Sequence, residues 1–162
     1  MINTLTDWRR RVESLLPLYG HRNWIAVVDS AYPLQSSAGV ETIVADVDQA
    51  EAVDFVIGSV NTAPHVRPIV YIDAELAHLD ERDAPGIDAY RTALASVLAD
   101  VAATPLIHED IIKQLDEAGK TFQVLVIKTC MTLPYTSVFI QLDCGYWDAA
   151  SETRLRSRLA SQ

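Results

Sequence analysis

A chain of 162 residues with 49% hydrophobic content is long enough to bury one core without disulfide staples, so a single domain is expected. Its 22 acidic against 13 basic residues give a formal net charge of -9, which repels a nucleic-acid backbone or an anionic membrane and favours an uncharged ligand. Cys130 and Cys144 read as reduced thiols, residues 1–12 lack the apolar run of a secretory leader, and no stretch reaches the roughly 18 apolar residues of a membrane span; a cytoplasmic location is expected.

In chain order, an amphipathic opening segment carries Leu15, Leu16 and Leu18 and stops at Gly20, and residues 23–28 then read as a strand buried on both faces that ends at Asp29. A second strand candidate covers residues 41–44. Residues 49–60 have helical periodicity through Ala52, Val53, Val56, Ile57 and Val60. Residues 67–72 form the next strand, ending at Asp73. A helix over 86–102 follows from one apolar stripe through Ile87, Tyr90, Leu94, Val97, Leu98 and Val101. Another runs from His108 to Ala118 and closes at Gly119. Two late strands, residues 122–127 and 137–142, are rich in branched and aromatic side chains. This order predicts a single three-layer α/β domain with a central, mostly parallel sheet over residues 1–147, followed by a tail or short helix over 148–162.

Candidate chemistry gathers at the ends of these elements. His21 sits in the turn before the first buried strand, and Asp29 leaves the opposite end of that strand. In open α/β sheets the ligand crevice lies at the carboxyl ends of the strands, which suits Asp29; His21 reaches such a site only through a turn or a neighbouring subunit. On spacing alone, His21 also reads as a locally bonded turn histidine, and Asp29 as the start of a turn. Tyr135, after Pro134, and Ser137 precede the last strand, where packing is the plainer role for the phenol. His108 begins a helix, where its ring caps the helix or faces a ligand. His65 and His78 lie in polar surroundings and read as solvated, Trp24 reads as core, and Trp147 is a further stacking candidate.

Other chemistries lack their residues. No pair of histidines has metal-site spacing and no Cys-x-x-Cys occurs, so no metal is assigned. The six glycines form neither nucleotide-binding pattern, and no G-x-S-x-G elbow supplies a nucleophile. No cofactor is expected.

Residues 18–33, Leu-Tyr-Gly-His-Arg-Asn-Trp-Ile-Ala-Val-Val-Asp-Ser-Ala-Tyr-Pro, resemble the opening of the D-ribose pyranase and L-fucose mutarotase family (RbsD/FucU-like): G-H, a short apolar strand, then D-[AS]-x-[FLY]-P. The likeness continues through residues 63–94 and ends at 134–140, similar to the family's P-Y-x-N and final apolar strand, roughly residues 10 to 146 in all. It implies that fold, with monosaccharide mutarotase or pyranase activity by histidine acid/base catalysis. His21 is then the acid/base, Asp29 a sugar-binding carboxylate, and His108, Tyr135 and Ser137 sugar contacts. It also implies a homo-oligomer, commonly a decamer, whose sites are completed across subunit boundaries. Ser137 stands where the family has Asn, and Cys130-Met131 where Gly-Glu is usual, which bears on the choice of sugar. A non-catalytic sugar-binding accessory protein of a transport or utilisation system is the alternative function.

Overall fold

The structure, a computed structural model, describes residues 4–162. Among these, helix α1 (Thr4–Leu15) leads into strand β1 (Trp24–Val28), and β2 (Val40–Val44) precedes α2 (Gln49–Thr62). Strand β3 (Val66–Asp73) ends in a short 3-10 turn (Ala74–His78), followed by α3 (Ile87–Val97) and β4 (Ala103–Leu106). Then come α4 (His108–Ala118), β5 (Val124–Lys128), β6 (Val138–Cys144) and α5 (Ala149–Ala160).

The six strands make one sheet in the order β2-β5-β1-β6-β3-β4. Strand β6 runs antiparallel to both its neighbours, and the other pairings are parallel. The carboxyl ends of β1, β3 and β5 and the amino end of β6 therefore share one edge. That edge carries Asp29, Asp73, Thr129 and Ser137.

Every residue of β1 is buried, as its unbroken apolar run requires of a strand covered on both faces. Helices α1, α2 and α3 pack on one face, where Val12, Val56 and Leu94 meet Ile25, Leu125 and Ile140. Helix α4 covers the other face alone, setting Ile111 and Leu115 against Trp24, Val126 and Phe139. Burying each of those two aliphatic side chains contributes about 1.5–3 kcal/mol. Eleven residues make α4 about 16 Å long, so it leaves the sheet open beyond each of its ends.

The three-layer expectation is met. Strand β4 was not expected: Ala103-Thr104-Pro105-Leu106 has no apolar alternation, and its proline is accommodated because the strand lies at the sheet edge. Helix α3 is shorter than the apolar stripe suggested, because Leu98 and Val101 keep their place in the core from turns beyond its end. His65 is half-buried rather than solvated, its Nε2 3.0 Å from the carbonyls of Leu16 and Tyr19. Gly119 closes α4 as expected, but with ordinary right-handed backbone at φ -63°. Glycine serves close approach here, since a Cβ on Gly39 would stand 2.2 Å from the Gly119 carbonyl oxygen. Cys130 and Cys144 are both free thiols. Helix α5 buries none of its residues, and no described helix is long and apolar enough to cross a membrane.

Candidate functional site

Beyond the amino end of α4 the sheet edge opens into a cleft of about 470 Å³, lined by Asp29, Tyr32, Gln35, His108, Glu109 and Tyr135 among others. Strand β1 delivers Asp29 to it. The turn that follows is closed by backbone, with the Tyr32 N–H donating to the Asp29 carbonyl at 3.2 Å. Ser30 donates both its N–H and its hydroxyl to the Met131 carbonyl, each at 2.8 Å, which ties the turn to the loop after β5. That bond uses main chain of Met131, so it does not depend on which side chain stands there. The Asp29 carboxylate meets Ser137, whose hydroxyl is 3.5 Å from Oδ1. Ser137 is only 3% exposed and lies beneath Asp29 as a support.

Tyr135 enters the cleft from the loop before β6 and holds φ 55°, a left-handed conformation uncommon for a bulky residue. Such conformations persist only where the surroundings over-determine them. Here the next peptide is clamped: the Thr136 carbonyl accepts from Gln49 Nε2 at 3.0 Å and from the Tyr90 hydroxyl. Gln49 is itself fully buried, donating to the Val27 carbonyl at 2.8 Å and accepting from Thr129 Oγ1 at 2.7 Å. The ring of Tyr135 stands edge-on to that of His108, with centroids 5.7 Å apart and planes at 83°.

His108 is held by two carboxylates from the end of β3 and the turn beyond it. Its backbone N–H, which as the first of α4 has no acceptor within the helix, donates to both oxygens of Glu75 at 3.1 Å. Its Nδ1 lies 2.9 Å from Asp73 Oδ1. The Asp73 side chain is fully buried, and its Oδ2 has no hydrogen-bond partner. Burial pushes the Asp73 carboxyl above the usual carboxylate range, and the bond from His108 works against that rise.

His21 lies at the opposite edge. It occupies the turn between Gly20 and Asn23, closed by Asn23 N–H on the Gly20 carbonyl at 3.1 Å and by Gly20 N–H on Asn23 Oδ1 at 2.7 Å. The exposed imidazole places Nδ1 2.9 Å from Asp143 Oδ1, and Arg67 binds Asp143 Oδ2 with Nη2 at 2.6 Å. Desolvation opposes ionisation of Asp143, yet Arg67, the Cys144 backbone N–H and His21 together hold its carboxyl below the usual range. Arg22, next in sequence, has φ 78°. This turn borders a second cleft of about 600 Å³ beyond the other end of α4, lined in part by His21, Arg22, Gln114, Glu117 and Gln141.

The fold thus brings Asp29, His108, Tyr135 and Ser137 together and leaves His21 on the far side of β1, separated by about 17 Å of extended strand. Trp24 is core, ring-packed on Tyr71, and Trp147 donates its indole N–H to Glu152 of α5 at 2.7 Å. Asp73, Glu75, Gln49 and Asp143 are the residues the sequence did not disclose. Asp73 carried one signal, a carboxylate ending a buried strand as Asp29 does. Among the described residues no His, Cys, Asp and Glu cluster could hold a metal ion.

No protein-family model and no curated protein sequence matches the chain. Solved structures do. RbsD of Bacillus subtilis complexed with D-ribose superposes with a TM-score of 0.58 at 17% identity, covering 82% of this chain and 91% of that one. The fucose mutarotase of Streptococcus pneumoniae in complex with L-fucose gives 0.55 at 18%, covering 87% and 94%. FucU of Bifidobacterium longum gives 0.57 at 11%, covering 83% and 94%.

Proposed function

We propose that this chain, which has the α/β fold of the ribose pyranase RbsD and the fucose mutarotase FucU, interconverts anomers or ring forms of a reducing monosaccharide. The observation that carries the reading is the convergence of Asp29, His108 and Tyr135, from three separate stretches of chain, on one cleft at the carboxyl edge of the sheet. An anionic acceptor, an imidazole and a phenol suit the hydroxyls of an uncharged polyol, and an aromatic ring suits its apolar face. The net charge of -9 disfavours sugar phosphates.

Opening the ring moves one proton from the anomeric hydroxyl and delivers another to the ring oxygen; closing it reverses both. No covalent bond to the protein is needed. An imidazole exchanges protons near neutral pH, and general acid/base catalysis contributes about 10² to 10⁴ in rate, enough to speed a reaction that water already permits slowly. We assign the acid/base role to His21. Asp143 engages its Nδ1, which leaves Nε2 of the exposed ring outside that contact. Asp29 then accepts from a sugar hydroxyl, braced by Ser137, while His108 and Tyr135 bind further hydroxyls.

Because His21 and Asp29 border different clefts of one chain, a neighbouring protomer supplies the histidine, in a homo-oligomer with sites at its subunit boundaries. Helix α4 lies between the two clefts, so apposing its amino end on one copy with its carboxyl end on the next joins them. The alternative, a binding accessory without catalysis, shares the cleft and differs in the rate effect.

Magnetisation-exchange NMR on reducing sugars including D-ribose and L-fucose tests the reading. Wild-type protein should accelerate exchange between the anomeric or ring-form signals of at least one sugar, and His21→Ala should reduce that acceleration about 10²-fold or more. Saturable binding with no acceleration selects the accessory reading instead.

A further inference from the structure

The Asp73 carboxylate is a costly thing to keep. Its side chain is fully buried, one oxygen has no partner, and burial disfavours its charge. Its one hydrogen bond goes to the Nδ1 of His108, the imidazole that lines the sugar cleft. Helix α4 needs no help from Asp73 at its start, because Glu75 already takes the His108 backbone N–H with both oxygens. What Asp73 adds is confined to the ring.

We propose that Asp73 is a positioning residue that fixes His108 as the Nδ1–H tautomer, leaving Nε2 a bare acceptor for a hydroxyl that the bound sugar must donate. The inference rests on the sugar reading of the cleft and deepens it: the cleft selects, at His108, a hydroxyl oriented as donor. The chemistry is elementary. A neutral imidazole carries one N–H, and a carboxyl oxygen is the stronger acceptor for it, so the hydrogen stays on the nitrogen facing Asp73. A carboxylate behind a histidine sets both tautomer and ring orientation, and replacing it by the isosteric amide turns the tautomer over, because the amide N–H then donates to Nδ1. The ring of Tyr135, edge-on at 5.7 Å, packs against the same imidazole. Glu109, the other ionisable side chain of α4 that lines the cleft, is exposed, and the His108 ring bonds to Asp73 instead.

The test is ¹⁵N NMR of the imidazoles of the full chain, with the His108 signals assigned by their loss in His108→Gln, on wild type and Asp73→Asn at a pH where the ring is neutral. Wild type should give the Nδ1–H pattern and Asp73→Asn the Nε2–H pattern. The second arm titrates D-ribose and L-fucose into wild type, Asp73→Asn, His108→Gln and the double variant. Asp73→Asn should weaken binding of the accepted sugar about tenfold or more, yet have little further effect in the His108→Gln background, since it acts through that ring. An Nε2–H pattern in wild type overturns the proposal, and so does a loss on Asp73→Asn that is undiminished without His108. If Asp73→Asn does not fold, the wild-type tautomer and the His108→Gln titration still decide. If neither sugar binds wild type, the reading of the cleft as a ribose or fucose site fails while the tautomer arm stands by itself.

Discussion

Asp143 and Asp73 each face a histidine at 2.9 Å, yet their surroundings push their acidities in opposite directions. At Asp143 the partners win over desolvation and the carboxyl lies below its ordinary range. The stability it contributes is therefore present above the unfolded-state value and is lost as pH falls through the lower folded value. At Asp73 burial wins and the carboxyl lies above that range, so its contribution runs the other way, declining as pH rises from the unfolded value towards the folded one. Arg67 and His21 are both about half exposed, so the Asp143 cluster is worth only about 0–1 kcal/mol at neutral pH. Urea melts should show Asp143→Asn less stable than wild type by that amount at pH 7, with the gap closing as pH drops through the acid range. A gap that widens on acidification overturns the ordering. At this scale His21, Asp29, His108 and Tyr135 were singled out by the family resemblance, since spacing alone favoured turn roles for His21 and Asp29 and packing for Tyr135. Their partners were not, because Asp73 meets His108 across 35 residues and Asp143 meets His21 across most of the chain, pairings that only the folded sheet creates.

The elements read from sequence are those whose burial is simple. Strands β1 and β5 and the first half of β6 are buried and correspondingly apolar, and α2 and α4 each show one apolar face to the sheet. Strand β4, exposed at the edge and built around Pro105, carries no such pattern and emerges only from its pairing with β3. Gln49 illustrates a harder case. A glutamine at the first position of an amphipathic helix reads as solvent-facing, but here it is fully buried and ties α2 to β1, to Thr129 and to the carbonyl that follows Tyr135. Nothing local signals this, since the three partners come from three other segments. Gln49→Leu keeps the volume and removes every one of those bonds; the Thr129 hydroxyl is left with the Val28 carbonyl alone and the Thr136 carbonyl with the Tyr90 hydroxyl alone, and the Val27 carbonyl loses its Gln49 donor. A loss of about 2–3 kcal/mol is expected in denaturant unfolding, from the three buried hydrogen bonds removed. Hydrogen exchange of the 135–137 amides should rise with it, because the clamp beside the left-handed Tyr135 is reduced to the Tyr90 bond. A variant that unfolds at the wild-type midpoint with unchanged exchange removes Gln49 from this role.

The whole molecule places its two histidine–carboxylate pairs at opposite edges of one sheet, His21 with Asp143 at one and His108 with Asp73 at the other. Helix α4, about 16 Å long, separates the two clefts they border, and no rotamer of His21 crosses the strand that lies between it and Asp29. If each site joins the His21 cleft of one copy to the Asp29 cleft of another, the two halves are separable by mutation. His21→Ala subunits retain an intact Asp29 cleft, and Asp29→Asn subunits retain an intact His21 cleft. Each homo-oligomer is then inactive, but unfolding and refolding an equal mixture should restore activity. A site works only where a His21→Ala copy presents the Asp29 cleft and an Asp29→Asn copy presents the histidine. Random assembly gives that pairing at about a quarter of the boundaries, so sugar exchange should return to about a quarter of the wild-type rate per chain. Both lesions in one chain, mixed equally with wild type, provide the control: the two mixtures then share the same total of damaged groups in a different arrangement. Recovery in the first mixture requires that the halves come from different chains. A mixture as inactive as its parents overturns the shared site, whereas a His21→Ala homo-oligomer that is itself active would mean that each chain works alone and would pass the acid/base role to His108, the imidazole already inside the Asp29 cleft.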